Sequence, residues 1–97
     1  MNEPSNFDDM HRRVDWLVPA DAAILELCYT ARTPVGKPAI LTPAAIAANV
    51  GYSRKHVGNR CRHLSDKGLL EKIERGQYRL SQKGERLIDG EISPDSV

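Results

Sequence analysis

The stretch LTPAAIAANVGYSRKHVGNRCRHL, from Leu41 to Leu64, constrains the fold more tightly than any other part of the chain. Two helix starts lie close together in it. Thr42 is a side-chain cap followed by Pro43 at the first helical position, where a missing N–H costs nothing. The helix so started, Pro43 to Val50, meets Gly51, a residue that tolerates the left-handed conformation ending many helices. Ser53 caps a second helix that runs to about Lys67 and is ended by Gly68. The first helix turns Ile46, Ala47 and Val50 inward; the second turns Val57, Cys61 and Leu64 inward at i, i+4, i+7. A reversal this tight needs a small residue where the helices cross, a turn residue able to take positive φ, and a branched apolar residue facing back. Ala47, Gly51 and Val57 supply these. The expected unit is a helix-turn-helix.

The second of these helices breaks a local rule. A helix N-terminus carries partial positive charge, so Arg54 and Lys55 in its first turn cost roughly 0.3–1 kcal/mol each if exposed. A helix selected for stability alone places Asp or Glu there, and the departure points to a functional surface. At 100° per residue Lys55, Asn59 and Arg62 lie opposite Val57, Cys61 and Leu64, with Ser53, Arg54, His56 and His63 beside them. Arg and Lys suit guanine edges and Asn suits adenine. Gly58 is less favourable than Ala at mid-helix by about 1 kcal/mol, which fits either close approach of backbone to DNA or neutral drift.

The charge distribution agrees. The net charge is only +1, but residues 51–79 hold eight cations (Arg54, Lys55, Arg60, Arg62, Lys67, Lys72, Arg75 and Arg79) against three acids (Asp66, Glu71 and Glu74). Both flanks are net acidic. A basic block between acidic flanks is the footprint of a phosphate-binding surface.

The rest of the chain frames this unit. Residues 1–14 are polar and read as a flexible tail containing the basic cluster His11-Arg12-Arg13. A helix is expected near 19–31, with Ile24, Leu27, Cys28 and Ala31 on its apolar stripe. Residues 32–38 (RTPVGKP) are a loop, and Ala39-Ile40-Leu41 suits a short strand. Leu69 to Glu74 and Gln77 to Leu80 read as strands of a hairpin turned by Arg75-Gly76. Ser81 caps a last helix carrying Gly84, Leu87 and Ile88 on one face. The expected core is Ile24, Leu27, Cys28, Ile46, Val50, Val57, Cys61, Leu64, Leu80 and Leu87. The domain spans 15–92, and 93–97 form a flexible C-terminal tail. A hairpin carrying Lys72, Arg75 and Arg79 beside a recognition helix is a wing, suited to phosphates or the minor groove. The fold class is mainly α with a small β-wing, a winged helix-turn-helix.

Leu41 through Ile88 resembles the winged helix-turn-helix superfamily to which MarR-type regulators belong. The segments GLLEKIERGQYRLSQKGERLI and VDWLVPADAAILEL resemble in particular the small haloarchaeal group that includes the lysogeny repressor of halophage phi-H. The resemblance covers about residues 14–90. It implies a homodimer on a palindromic operator and repression of genes. The chain departs from that group in lacking a large acidic surplus, in a longer 32–38 loop, and in having Val18 where a polar cap normally precedes Pro19.

Other classes find less support. His11, His56 and His63 have no Ser or Cys and carboxylate partners at a recognisable spacing, so no enzyme is expected. Cys28 and Cys61 lie outside any tight metal spacing and on apolar stripes, where a thiol acts as a small hydrophobe. No metal or cofactor is expected. No apolar run reaches membrane-span length, and the polar N-terminus does not read as a signal peptide, so a cytoplasmic protein is expected. The residues thus predict a sequence-specific regulator of transcription that binds double-stranded DNA, and the resemblance implies that it acts as a repressor. Its candidate DNA ligands are Thr42, Ser53, Arg54, Lys55, His56, Asn59, Arg62, His63, Lys72, Arg75 and Arg79. The alternatives are a winged helix used for protein interaction, or a DNA-binding protein of phage or plasmid replication or partition.

Overall fold

A computed structural model describes residues 16–97. The expected 1–14 tail and its His11-Arg12-Arg13 cluster lie outside the described residues. The order is α1 (Pro19–Thr30), α2 (Pro43–Val50), α3 (Arg54–Asp66), β1 (Leu70–Glu74), β2 (Gln77–Leu80) and α4 (Gln82–Ile88), closed by a 3-10 turn at Pro94–Ser96. The two strands pair antiparallel as a hairpin. Among the described residues, four helices and this wing make the winged helix expected from the residue pattern.

The helix starts follow local chemistry. The Thr42 hydroxyl accepts the Ala45 N–H at 3.1 Å, and Ser53 accepts from His56 at 3.1 Å. Ser81 accepts from Gly84 N–H and donates to the Gly68 carbonyl, so it caps α4 while tying it to the end of α3. Gly51 closes α2 at φ 79°, the left-handed region that a side chain strains to enter. Val18 has no side chain able to cap α1; the Asp21 carboxylate instead accepts the Val18 N–H at 3.2 Å. The 39–41 segment forms a single antiparallel bridge, with Leu41 and Tyr78 exchanging N–H···O bonds of 2.7 and 2.8 Å. That bridge anchors the start of the helix-turn-helix to the wing.

One core serves all elements. Leu17, Ile24, Leu25, Cys28, Ile46, Val57, Cys61, Leu64, Leu69, Leu70, Tyr78, Leu80 and Leu87 are buried together. The expected stripe of α1 needs a correction: Leu25 is buried, whereas Leu27 is only half-buried and Val50 likewise packs at the margin. The reason is that α1 touches α2, α3, α4 and β2, and a helix enclosed from several sides buries a wider arc than one apolar stripe. Leu27 instead lines a shallow cleft with Ala23, Glu26, Thr30, Asn49 and Val50, where α1 meets α2. The 93–97 segment, expected as a flexible tail, touches the rest of the domain. The Trp16 indole N–H donates to the Pro94 carbonyl at 3.4 Å, and Val97 packs on the core margin.

Candidate nucleic-acid interface

The face of α3 opposite Val57, Cys61 and Leu64 is exposed along its length, and it carries Lys55, Asn59, Arg62 and Asp66. Core anchoring produces this outcome. The three inward residues are wholly buried, so that side of the helix faces the core and the residues half a turn away face solvent. Asn59 and Arg62, one turn apart, share a hydrogen bond from the Arg62 guanidinium to Asn59 Oδ1. This pre-orders both side chains. It uses one lone pair of Oδ1 and leaves the second, with the amide and the other guanidinium donors, directed outward.

Arg54, Lys55 and His56 are exposed in the first turn of α3, with the capping hydroxyls of Thr42 and Ser53 exposed nearby. Each capping oxygen accepts a backbone N–H and keeps its own O–H to donate, the chemistry a phosphate oxygen requires. Tyr52, 37% exposed in the turn, sets its ring 5.7 Å from that of His56. Sequence reading passed over Tyr52, although an aromatic residue between two caps in a short turn has little core to enter.

The wing adds three cations in different states. Arg75 is exposed at the hairpin turn and makes no ion pair among the described residues. Lys72 is exposed and faces α3 across a cleft lined by Arg62, Ser65, Asp66 and Tyr78. Ser65 and Tyr78 are hydroxyl groups the sequence reading did not single out; they meet there only because β2 lies beside the second half of α3. Burial holds the Tyr78 phenol above its ordinary pKa, so it remains a donor. Arg79 is paired with Glu71, its partner in the strand register, at 2.7 Å. Both side chains are substantially exposed, and such a pair contributes only about 0–1 kcal/mol, so a phosphate can compete for Arg79.

Three residues of the basic block turn elsewhere. Lys67 lies over the Trp16 ring at 4.8 Å. His63 packs its ring 6.5 Å from the same Trp16, with Nε2 buried and unpartnered among the described residues. His63 therefore leaves the candidate set: its position in the helix looked like a flank of the exposed face, but it lies on the side that Trp16 covers. Arg60 points inward. Its Nε donates to Asp21 Oδ1 and its Nη2 to Oδ2, both at 2.7 Å, and the same Nη2 reaches the Trp16 carbonyl at 3.1 Å. The hydrogen bond to Asp21 holds the Arg60 proton more tightly than usual. Of the eight cations counted from the sequence, Arg54, Lys55, Arg62, Lys72 and Arg75 face outward without an acidic partner among the described residues.

Comparison with known proteins bears on the family of the chain. A family model described as the winged helix-turn-helix phage repressor matches residues 10–97. The chain is similar to the Repressor protein of Halobacterium phage phiH, with 40% identity over 93 residues, 91% of this chain and 97% of that one. No solved structure matches it.

Proposed function

The chain belongs to the winged helix-turn-helix phage repressor family, and from this premise we propose that it represses transcription by seating α3 in the major groove of a specific duplex. One observation carries the reading: Lys55, Asn59 and Arg62 stand together on an exposed face, set by a buried one, beside a wing with outward cations. Lys55, Asn59 and Arg62 read base edges. Thr42, Ser53, Arg54 and His56 hold the phosphates at the start of α3, and Lys72, Arg75 and Arg79 hold those under the wing. Counterion release by these cations provides most of the sequence-independent affinity, whereas discrimination comes from the three base readers.

The working form is a homodimer. A single α3 covers only a few base pairs, and paired half-sites about one helical turn, roughly 34–36 Å, apart are the usual remedy. The longest extent of the described residues is 35 Å, a size compatible with that spacing. Leu17 is 3% exposed and belongs to the core, so it offers no contact surface. The outer sides of α1 and α4 remain, with Val35, 79% exposed on the 32–38 loop. Arg32 joins that loop to α4 through Glu85 at 2.7 Å. No helix among the described residues is long and apolar enough to cross a membrane, and action on DNA in the cytoplasm fits the reading. Selection of duplexes from a random pool by the purified protein, followed by genomic footprinting, tests it. A recurring palindromic site is expected; recovery of no preferred sequence at any salt concentration defeats it.

A further inference from the structure

We propose that Asp21 and Arg60 are positioning residues whose ion pair sets the roll of α3, and thereby the directions in which Lys55, Asn59 and Arg62 leave the molecule. The proposal rests on the DNA-reading role given above to that face.

Asp21 is wholly inaccessible to solvent, on the first turn of α1. Both carboxylate oxygens are engaged side-on by one guanidinium from the middle of α3, and Oδ2 also accepts the Val18 N–H. With the bond from Arg60 to the Trp16 carbonyl, the segment from Trp16 to Asp21 grips a single side chain by its plane. Burying a carboxylate is expensive, and a buried ion pair is often no more stable than apolar side chains of similar volume. Stability alone therefore does not account for the pair, whose Arg60 side chain is still 21% exposed.

What it adds is direction. The other contacts that hold α3, through Val57, Cys61 and Leu64, are apolar and tolerate small rotations. A planar fork on a carboxylate is satisfied at one roll angle. Arg60 adjoins Asn59 and lies two residues from Arg62 on the same rigid helix, so any rotation is transmitted in full. At a side-chain radius of roughly 5–6 Å, a roll of about 20° moves the tips by about 2 Å. That displacement breaks a bidentate base contact.

The test uses the full chain, the duplex that wild type selects from a random pool, and a scrambled duplex. The double variant Asp21→Leu/Arg60→Met removes both charges, and Arg60→Lys keeps the charge but removes the fork. Each is expected to melt cooperatively and to bind scrambled duplex with wild-type affinity and salt slope. Discrimination between the two duplexes is expected to fall at least about tenfold, the size of one lost bidentate contact. A folded variant of either kind that discriminates as well as wild type overturns the proposal. If the double variant does not fold, Arg60→Lys decides. A second readout needs no DNA: relaxation dispersion on the amides from Lys55 to Arg62 is expected to show exchange in the variants that wild type lacks. Flat profiles in a folded variant overturn the proposal, and they remain informative if wild type shows no duplex preference, which defeats the DNA reading instead.

Discussion

Gly58 lies on α3 with nothing within 4 Å of where a Cβ would sit. In the free protein Gly58→Ala should therefore raise stability, by up to about 1 kcal/mol, through helix propensity alone. Thermal melts check this, and a destabilised variant shows that the space is not open. Binding then separates the two accounts of the glycine: weakened binding to the selected duplex, despite the gain in stability, means that backbone approaches DNA there. The division of labour on the surface is equally open to measurement. Asn59→Ala should cost about 1–3 kcal/mol on the selected duplex and relax preference at one position. Arg75→Ala should weaken binding to every duplex and flatten the slope of log K against log salt by about 0.9. Titrations of selected and scrambled duplex at several salt concentrations check both. Full discrimination by Asn59→Ala, or an unchanged slope for Arg75→Ala, reverses the assignment.

Contact between elements sets a different group of constraints. α4 meets the residue before β1 and the end of β2 through Gly84, where a Cβ would lie 2.4 Å from the Leu69 carbonyl oxygen and 2.6 Å from Leu80 Cδ1. Helix propensity favours alanine at Gly84 as it does at Gly58, but the contact with backbone overrides it. Gly84→Ala should destabilise by roughly 1–3 kcal/mol, as overpacking does; denaturant midpoints check this, and a gain in stability refutes the close contact. The α1–α3 junction holds both thiols. Burial pushes Cys28 up to about 12, with the neighbouring Cys61 adding to the shift. Burial and then Asp21 push Cys61 to about 11 from the ordinary 9.0, with Arg62 opposing. Between these values and 9.0 the folded chain keeps protons that the unfolded chain has lost, so the two thiols make stability fall as pH rises above about 9. At pH 7–8 both should resist alkylation in the native state and react on unfolding. Mass spectrometry after iodoacetamide checks this, and rapid native labelling contradicts it.

The whole molecule is expected to act as a pair. Light scattering at tens of micromolar should give twice the 10.8 kDa chain mass. Val35→Asp should lower that mass and weaken binding to a two-half-site duplex while sparing a single half-site. A monomer both with and without DNA refutes the dimer; a dimer indifferent to Val35→Asp moves the interface away from the 32–38 loop.

Much of this architecture is local, and local features are legible from residue order. Thr42 and Ser53 cap, Gly51 turns, and Val57, Cys61 and Leu64 repeat at helical spacing, because each depends only on neighbours within a turn or two. The exposed set Lys55, Asn59 and Arg62 follows from the same period. The rest depends on elements distant in sequence. Arg60 counted as one more cation until α1 brought Asp21 against it, and His63 counted as a flank until Trp16 covered it. Ser65 and Tyr78 meet Lys72 because the hairpin folds back onto α3. Leu25 is buried and Leu27 is not because neighbours surround α1 on several sides. Periodicity shows which side of a helix is apolar; which partner each polar side chain meets depends on packing between segments tens of residues apart, and no local pattern encodes it.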